Sequence, residues 1–385
     1  MGRFFLRLLW LTGWVALSGC VDRYTPDVPP AAQANLVVDG FINLQGPTVI
    51  KLSRTFSVNT KNTAPAEARA RVAIADDAGQ RYPLAESPTG TYTSAALALN
   101  PSRQYQLLIT TAQGRDYASD LAPTVPTPPV DSITWRLTPV EGIQIYLTTH
   151  DASTAARYYR WEYEETYQYT SAFQSSLEYV ASTNSLAERP ADKQIFTCWR
   201  TEPSTAILQS NTAQLSQNTL ANFPLLTVLP SQKLRLGYSL LVRQYAQTQA
   251  EYDYWERLRK STENLGTVND PLPARVTGNV HALADAAEPV LGYVGVHSVA
   301  QKRLFVDGAK LPVPRPTSVL YNPFYASCTL ADRVLPNAYY LQQFRDGFLI
   351  PINHDLKAPE FIYVSTPSCV DCRQWGTSVK PSFWP

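Results

Sequence analysis

From Leu36 onward, short apolar runs alternate with clusters of turn residues, a pattern that predicts strands rather than helices. In Tyr105-Gln106-Leu107-Leu108-Ile109, every second residue (Tyr105, Leu107, Ile109) is a large apolar group falling on one side of an extended chain, as a half-buried strand requires. Runs at 36–42, 48–56, 70–75, 80–84, 91–95, 105–110 and 116–121 predict about seven strands. Gln45-Gly46-Pro47, Asp76-Asp77-Ala78-Gly79, Pro88-Thr89-Gly90, Asn100-Pro101-Ser102 and Gln113-Gly114 stand between them with the chemistry of turns. Short strands at this spacing predict an amino-terminal immunoglobulin-like β-sandwich over residues 35–127.

Pro123, Pro126, Pro128 and Pro129 then form a stiff connector, and a larger antiparallel β-rich domain is expected over 128–385. Its predicted strands lie at 132–137, 143–149, 158–169, 194–199, 206–209, 233–247 and 302–306. In the third of these Tyr159, Trp161 and Tyr163 share one face, and Tyr158, Arg160, Glu162 and Glu164 the other. Two readings fit the aromatic face: a platform for a sugar ring or a peptide, or a face packed into the core opposite a solvated ladder of paired charges. The polar stretch 171–192 reads as a long loop and a candidate contact surface. One main helix is predicted over 249–265. Thr248 and Glu251 have capping-box spacing at its start, Asp253/Arg257 and Glu256/Lys260 are four residues apart with the acid first, and Gly266 stops it.

The amino terminus follows a different rule. Arg3 and Arg7 precede an apolar core at 8–17, which is too short to span a bilayer, and Ser18-Gly19-Cys20 follows it. This resembles a bacterial lipoprotein signal, with residues 1–19 removed, Cys20 acylated and the proline-containing stretch 20–34 serving as a lipidated tether. The covalent lipid is then the membrane contact and the only cofactor-like group expected. Asp22 is not the residue directly after Cys20, which makes the outer membrane the expected address, on either its periplasmic or its cell-surface side.

Charge and motif content narrow the function further. Lys plus Arg number 33 against 32 Asp plus Glu, leaving no basic footprint for nucleic acid. No nucleophile elbow, phosphate loop, H-E-x-x-H or dinucleotide fingerprint occurs, so a non-enzymatic protein is expected. His150, His281, His297 and His354 are scattered and Asp76-Asp77 reads as a hairpin turn, so no metal site is assigned. Setting Cys20 aside leaves Cys198, Cys328, Cys369 and Cys372, an even number in an oxidising compartment. Two structural disulfides are expected. Of the three connectivities, we favour those in which Cys198 and Cys328 each reach one cysteine of the tail.

Further motifs recur across the chain. Leu36-Val37-Val38-Asp39-Gly40-Phe41-Ile42 follows the lipid cysteine; Thr262-Glu263-Asn264-Leu265-Gly266 and Leu272-Pro273-Ala274-Arg275-Val276-Thr277-Gly278-Asn279-Val280 precede Glu288-Pro289-Val290-Leu291-Gly292-Tyr293-Val294-Gly295-Val296; Cys369-Val370-Asp371-Cys372-Arg373 and Lys380-Pro381-Ser382-Phe383-Trp384 close the chain. Together they resemble the domain-of-unknown-function family 4249 of bacterial lipoproteins. The resemblance implies an outer-membrane lipoprotein of the Bacteroidetes type, encoded beside a TonB-dependent transporter and serving it as an accessory or substrate-capture subunit for an oligosaccharide or peptide. The alternative expectation is a surface adhesion or structural lipoprotein. Gly278-Asn279 reads as backbone geometry, a turn or bulge.

Overall fold

The computed structural model describes residues 34–56, 63–139, 142–153, 155–263, 276–311, 325, 327–328 and 331–385. The leader, Cys20, the tether up to residue 33, Gly266 and the Leu272 to Arg275 part of the motif lie outside the described residues.

Alternation places one side of each amino-terminal strand in a common core. Strands β1 (Leu36–Asn43), β2 (Val49–Arg54), β3 (Arg71–Asp76), β4 (Arg81–Glu86), β5 (Thr91–Ser94), β6 (Gln104–Thr110) and β7 (Asp116–Ser119) match the predicted runs closely. Leu36, Val38, Ile50, Leu52, Ile74, Leu107 and Ile109 all point inward and are buried together. At residue 40 the inward position belongs to a glycine with φ +134°, where a Cβ would overlap the carbonyl of Val49. Phe41, the next residue, faces outward from this core.

The second domain adds β8 (Val130–Leu137), β9 (Ile143–His150), β10 (Tyr158–Thr170), β11 (Thr197–Pro203), β12 (Leu208–Asn211), β13 (Thr219–Val228), β14 (Gly237–Gln247) and α1 (Gln249–Glu263). Next come β15 (Val280–Ala282), β16 (Val290–Leu291), β17 (Val296–His297) and β18 (Val299–Asp307). The chain is thus mainly β. The sheet β8-β9-β13 and the sheet β11-β10-β14-β18, with β12 also on β10, share one core that includes Ile145, Leu147, Trp161, Leu225, Leu240 and Val242. Strand β13 has no counterpart in the predicted set. Its register on β9 slips twice, Asn222 has φ +51° and Pro224 interrupts it, so the period-2 signal is broken where the strand runs.

The predicted boundary at 127/128 does not hold for the whole chain. Residues 278–297, assigned above to the second domain, return to the first: β15 pairs with β7, while β16 and β17 run parallel to β1. The first sheet therefore runs β15-β7-β6-β3-β4-β5-β2-β1-β16, with one returning segment covering both of its edges. Val280, Val290, Val294 and Val296 enter the amino-terminal core.

Gly278-Asn279 acts as the clip of this return. A Cβ on Gly278 would overlap the backbone carbonyl of Gly292, so only glycine allows the approach. The Asn279 side chain then closes it: Nδ2 donates to Val294 O (3.0 Å), and Val294 N donates to Oδ1 (2.8 Å). The proline connector is fastened alongside. Val125 N donates to Val296 O, Thr127 bonds Ser298, and the buried amide of Gln244 donates to Pro128 O.

Carboxy-terminal residues form a small sheet, β19 (Asp332–Val334), β20 (Ile350–His354) and β21 (Ile362–Ser365), with α2 (Ala338–Arg345) and the single turn α3 (Pro367–Val370). The 171–192 stretch is not simply a loop. Leu177–Val180 and Ser185–Glu188 form a hairpin, Ser176 N donates to Ile352 O of β20, and Leu177 packs with Val334, Phe344, Ile362 and Val364. Its apolar residues are too few to signal this alone; they are completed by the carboxy-terminal module.

Helix α1 begins as predicted, with Glu251 N donating to the Thr248 hydroxyl (3.2 Å). On its outer side, the Glu256 carboxylate accepts from both Nε and Nη2 of Arg259 and from Gln209 Nε2. These contacts, Arg259 first, hold its pKa at about 2, below the ordinary carboxylate value of about 4.3. A depressed carboxylate contributes stability that is present above the unfolded pKa and lost as pH falls through the folded one. Glu256→Gln is therefore expected to lower the melting temperature at pH 6, with the difference from the native chain vanishing near pH 2 in parallel thermal scans.

Candidate functional site

The aromatic triplet of β10 is not a ligand platform. Tyr159 and Trp161 are fully buried, with the Tyr159 hydroxyl donating to Ala156 O (2.7 Å) and Trp161 Nε1 donating to Gln244 Oε1 (2.8 Å). Trp161 also stacks on Phe223 at 4.7 Å, which brings the two sheets of the second domain together. Burial pushes the Tyr159 hydroxyl well above the ordinary phenol range. Of the three, Tyr163 reaches a cavity. It lines a recess of about 220 Å³ with Arg160, Glu162, Arg243 and Trp255.

That recess exposes the charged face of β10. Arg160 pairs with Glu162 two positions along the same strand, while Arg243 of β14 pairs across the strands with Glu164. The ladder is less solvated than expected: the Arg160 guanidinium lies between the rings of Tyr245 (4.6 Å) and Trp255 (4.4 Å) and is mostly buried. With both guanidiniums committed to carboxylates and a volume below the usual ~300 Å³ of ligand sites, the recess is structural.

At the seam between the domains, Phe41 stacks on His297 at 4.4 Å, and Tyr245 meets the edge of both rings. His297 Nε2 lies 3.5 Å from Glu251 Oε1, and Gln247 Nε2 donates to the same oxygen at 3.1 Å. Burial acts to raise the Glu251 carboxyl, but its interactions with His297, Arg160 and Gln247 outweigh it and leave it below the ordinary range. The capping-box glutamate thus serves the domain junction. Ser298 faces the connector, where its Oγ accepts from Thr127 N. His150 and His281 pair with Asp131 and Asp120, and His354 contacts Pro359 O. Among the described residues no group of three or more His, Cys, Asp or Glu is placed to hold a metal, and no helix is long and apolar enough to cross a membrane.

The four described cysteines bring the tail onto the second domain. Cys198 of β11 joins Cys372, and Cys328 joins Cys369. Beside the first bridge lies a solvent-open cavity of about 480 Å³, lined by Trp199, Arg200, Thr201, Gln374, Trp375, Gly376, Thr377 and Pro381. One wall is β11 and the other is the tail. They are tied by the disulfide and by a two-way backbone pair, Trp199 N to Thr377 O (2.8 Å) and Thr377 N to Trp199 O (3.0 Å). A Cβ on Gly376 would overlap the Trp199 carbonyl and crowd the Tyr169 hydroxyl, so the tail approaches this closely only with glycine there. That hydroxyl donates to Cys372 O (2.7 Å), and burial pushes it up to about 12. Behind the wall, Trp384 meets Trp199 edge-on at 6.3 Å and covers Gly237. The sequence signal for this site was the pair of cysteines flanking it; the aromatic residues are 176 positions apart, and periodicity does not connect them.

Comparison with solved structures returns β-sandwich proteins at low similarity. A two-domain fibronectin type-III segment of chicken tenascin is 10% identical with a TM-score of 0.17, covering 55% of this chain and 90% of that one. The FN1–FN3 domains of chicken CNTN1 are 14% identical with a TM-score of 0.20, covering 55% and 62%. The Yersinia pseudotuberculosis adhesin InvE is 16% identical with a TM-score of 0.14, covering 55% of each chain. No curated protein matches in sequence. The family comparison reaches from the tether through β17 and most of β18, and therefore includes the whole first domain with its returning clip: over residues 21–303 the chain belongs to the family described as Domain of unknown function (DUF4249).

Proposed function

We propose that the protein is a non-enzymatic outer-membrane lipoprotein that serves a TonB-dependent transporter as an accessory or substrate-capture subunit. The observation that carries this reading is the combination of a lipidation sequence ending at Cys20 with a β scaffold bearing a solvent-open, aromatic-lined cavity. A diacylglyceryl cysteine with an acylated amino terminus holds the chain on the bilayer lastingly, whereas one chain alone binds only marginally. The polar and proline-containing residues up to 34 give the anchored scaffold reach.

Metabolic labelling with a fatty-acid probe tests the anchor: label is expected on the native chain and absent from Cys20→Ser. Affinity purification of the lipidated chain from detergent-solubilised outer membrane tests the partner. A TonB-dependent transporter is expected in the eluate; its absence, with the chain intact and lipidated, overturns the transporter reading.

A further inference from the structure

We propose that this chain is a folding substrate of a thiol–disulfide isomerase, a partner that re-pairs Cys198, Cys328, Cys369 and Cys372 before they are buried. The inference goes beyond the transporter reading and draws on it only for an oxidising setting outside the cytoplasm. Its chemistry follows from the connectivity of the two bridges.

The bridges are nested: Cys198–Cys372 encloses Cys328–Cys369. In an unfolded chain the entropic cost of closing a loop rises only with the logarithm of its length. Cys328 lies 41 positions from Cys369 and 44 from Cys372, so the two loops close with probabilities within about 10% of each other. Cys198 is 130 positions from Cys328 against 174 from its native partner, which favours the wrong partner by about 1.5-fold. Cys369 and Cys372, three positions apart, close the shortest loop of all. Chain statistics thus leave all three pairings accessible and give the native one no advantage.

Packing supplies the selection. Cys198 and Cys372 belong to the core shared by the two sheets of the second domain, whereas Cys328 and Cys369 belong to a separate cluster with Ile195, Tyr325, Ile352 and Val370. Backbone bonds seat the tail between the two: Cys372 N donates to Ile195 O (3.0 Å), and Phe173 N donates to Cys369 O (3.1 Å). The crossed pairing, Cys198–Cys369 with Cys328–Cys372, draws each tail sulfur toward the wrong cluster, so neither core closes over it. In the native pairing all four residues are at most 6% exposed. An enzyme whose own thiolate must reach a disulfide sulfur therefore attacks the wrong pairings and spares the right one.

The re-pairing carries no net redox change. The partner's thiolate attacks Cys372 in a Cys328–Cys372 bond, forming a mixed disulfide and releasing the Cys328 thiolate. That thiolate attacks Cys369 in a Cys198–Cys369 bond and releases the Cys198 thiolate, which attacks Cys372 and expels the partner's thiolate. Two disulfides enter and two leave. A disulfide oxidant such as glutathione disulfide takes up the electrons of the four thiols when the bonds first form.

The test refolds the full chain carrying Cys20→Ser, which takes the fifth cysteine out of the competition. Reduced chain in urea is diluted into detergent with reduced and oxidised glutathione, quenched by alkylation at intervals and mapped by mass spectrometry of non-reduced peptides. Without enzyme, about a third or less of the first two-bridge chains are expected to be native, one pairing in three. A catalytic amount of a bacterial thiol–disulfide isomerase is expected to speed native pairing about tenfold or more, and a form lacking its active-site thiols to leave the rate unchanged. Cys328→Ala/Cys369→Ala and Cys198→Ala/Cys372→Ala each retain one possible bond among these four positions, and bond formation in either is expected to gain less than about twofold. Native pairing reached directly by most chains without enzyme, an unchanged rate with it, or equal acceleration of the single-bond variants would each overturn the inference. None of these outcomes touches the anchor or the transporter reading, which fatty-acid labelling and affinity purification test separately.

Discussion

The double variant Cys198→Ala/Cys372→Ala is expected to lose about 3–5 kcal/mol of stability in the second domain. The bridge closes a loop with a sequence separation of 174, and the chain-entropy relation gives about 5 kcal/mol for a loop of that length. Strain and residual structure in the reduced chain bring measured values below this limit. Cys328–Cys369 has a separation of 41 and lies within the larger loop, so its own removal is expected to cost less, up to about 4 kcal/mol, and the two losses do not add. Urea unfolding under oxidising conditions, followed by tryptophan fluorescence, measures both. A loss under about 1 kcal/mol for the Cys198/Cys372 pair would show that the tail is held by packing, through Tyr169, Trp199 and Trp384, rather than by the covalent tie.

Gly278→Ala is expected to release the returning segment from the first domain at a cost of about 3–5 kcal/mol. The added Cβ meets the carbonyl of Gly292, a backbone atom that cannot move without displacing β16 from β1, and Gly292 itself is held at φ +121° against the carbonyl of Val38. Asn279→Ala is expected to be milder, about 2–3 kcal/mol, because it removes two buried hydrogen bonds that Val294 N and O make in the buried link between β16 and β17. Hydrogen exchange gives a local reading. The amides of Ile42, Leu44 and Asp120, which donate to carbonyls of Gly295, His297 and Asn279, should exchange much faster in Gly278→Ala, while those between β10 and β14 stay protected. Equal loss of protection in both domains would mean that the two sandwiches unfold as one unit.

The same clip shows how the motif and its meaning separate. Gly278-Asn279 was legible as backbone geometry, because glycine followed by asparagine is a pair that serves tight approaches. Its partner, 14 residues away at Gly292, was not legible, since two glycines in contact leave no periodic trace. The triplet Tyr159, Trp161 and Tyr163 gave a correct strand face but two opposite uses for it. Alternation states which residues share a side and not whether another sheet lies on that side; β13, with Phe223 on Trp161, supplied the answer. The 480 Å³ cavity was not legible at all. Its walls come from β11 and from a tail more than 170 residues later, and only the cysteines beside them indicated that the tail returns.

The sequence by itself determined what local rules control: the strands of the first domain, the capped start of α1, the connector prolines and the cysteines set aside for bridges. These depend on the period of apolar residues, on single-residue backbone preferences and on side-chain chemistry, all of which act within a few positions. Tertiary structure decided which surfaces are covered and which remain open. It sent residues 278–297 back to close the edges of the first sheet, buried the β10 aromatics beneath β9 and β13, turned Glu251 from a cap into part of the domain junction, and left Trp375 exposed beside Trp199. Those outcomes rest on contacts between segments far apart in the chain, and burial there is a property of the pair of surfaces that meet rather than of either segment alone.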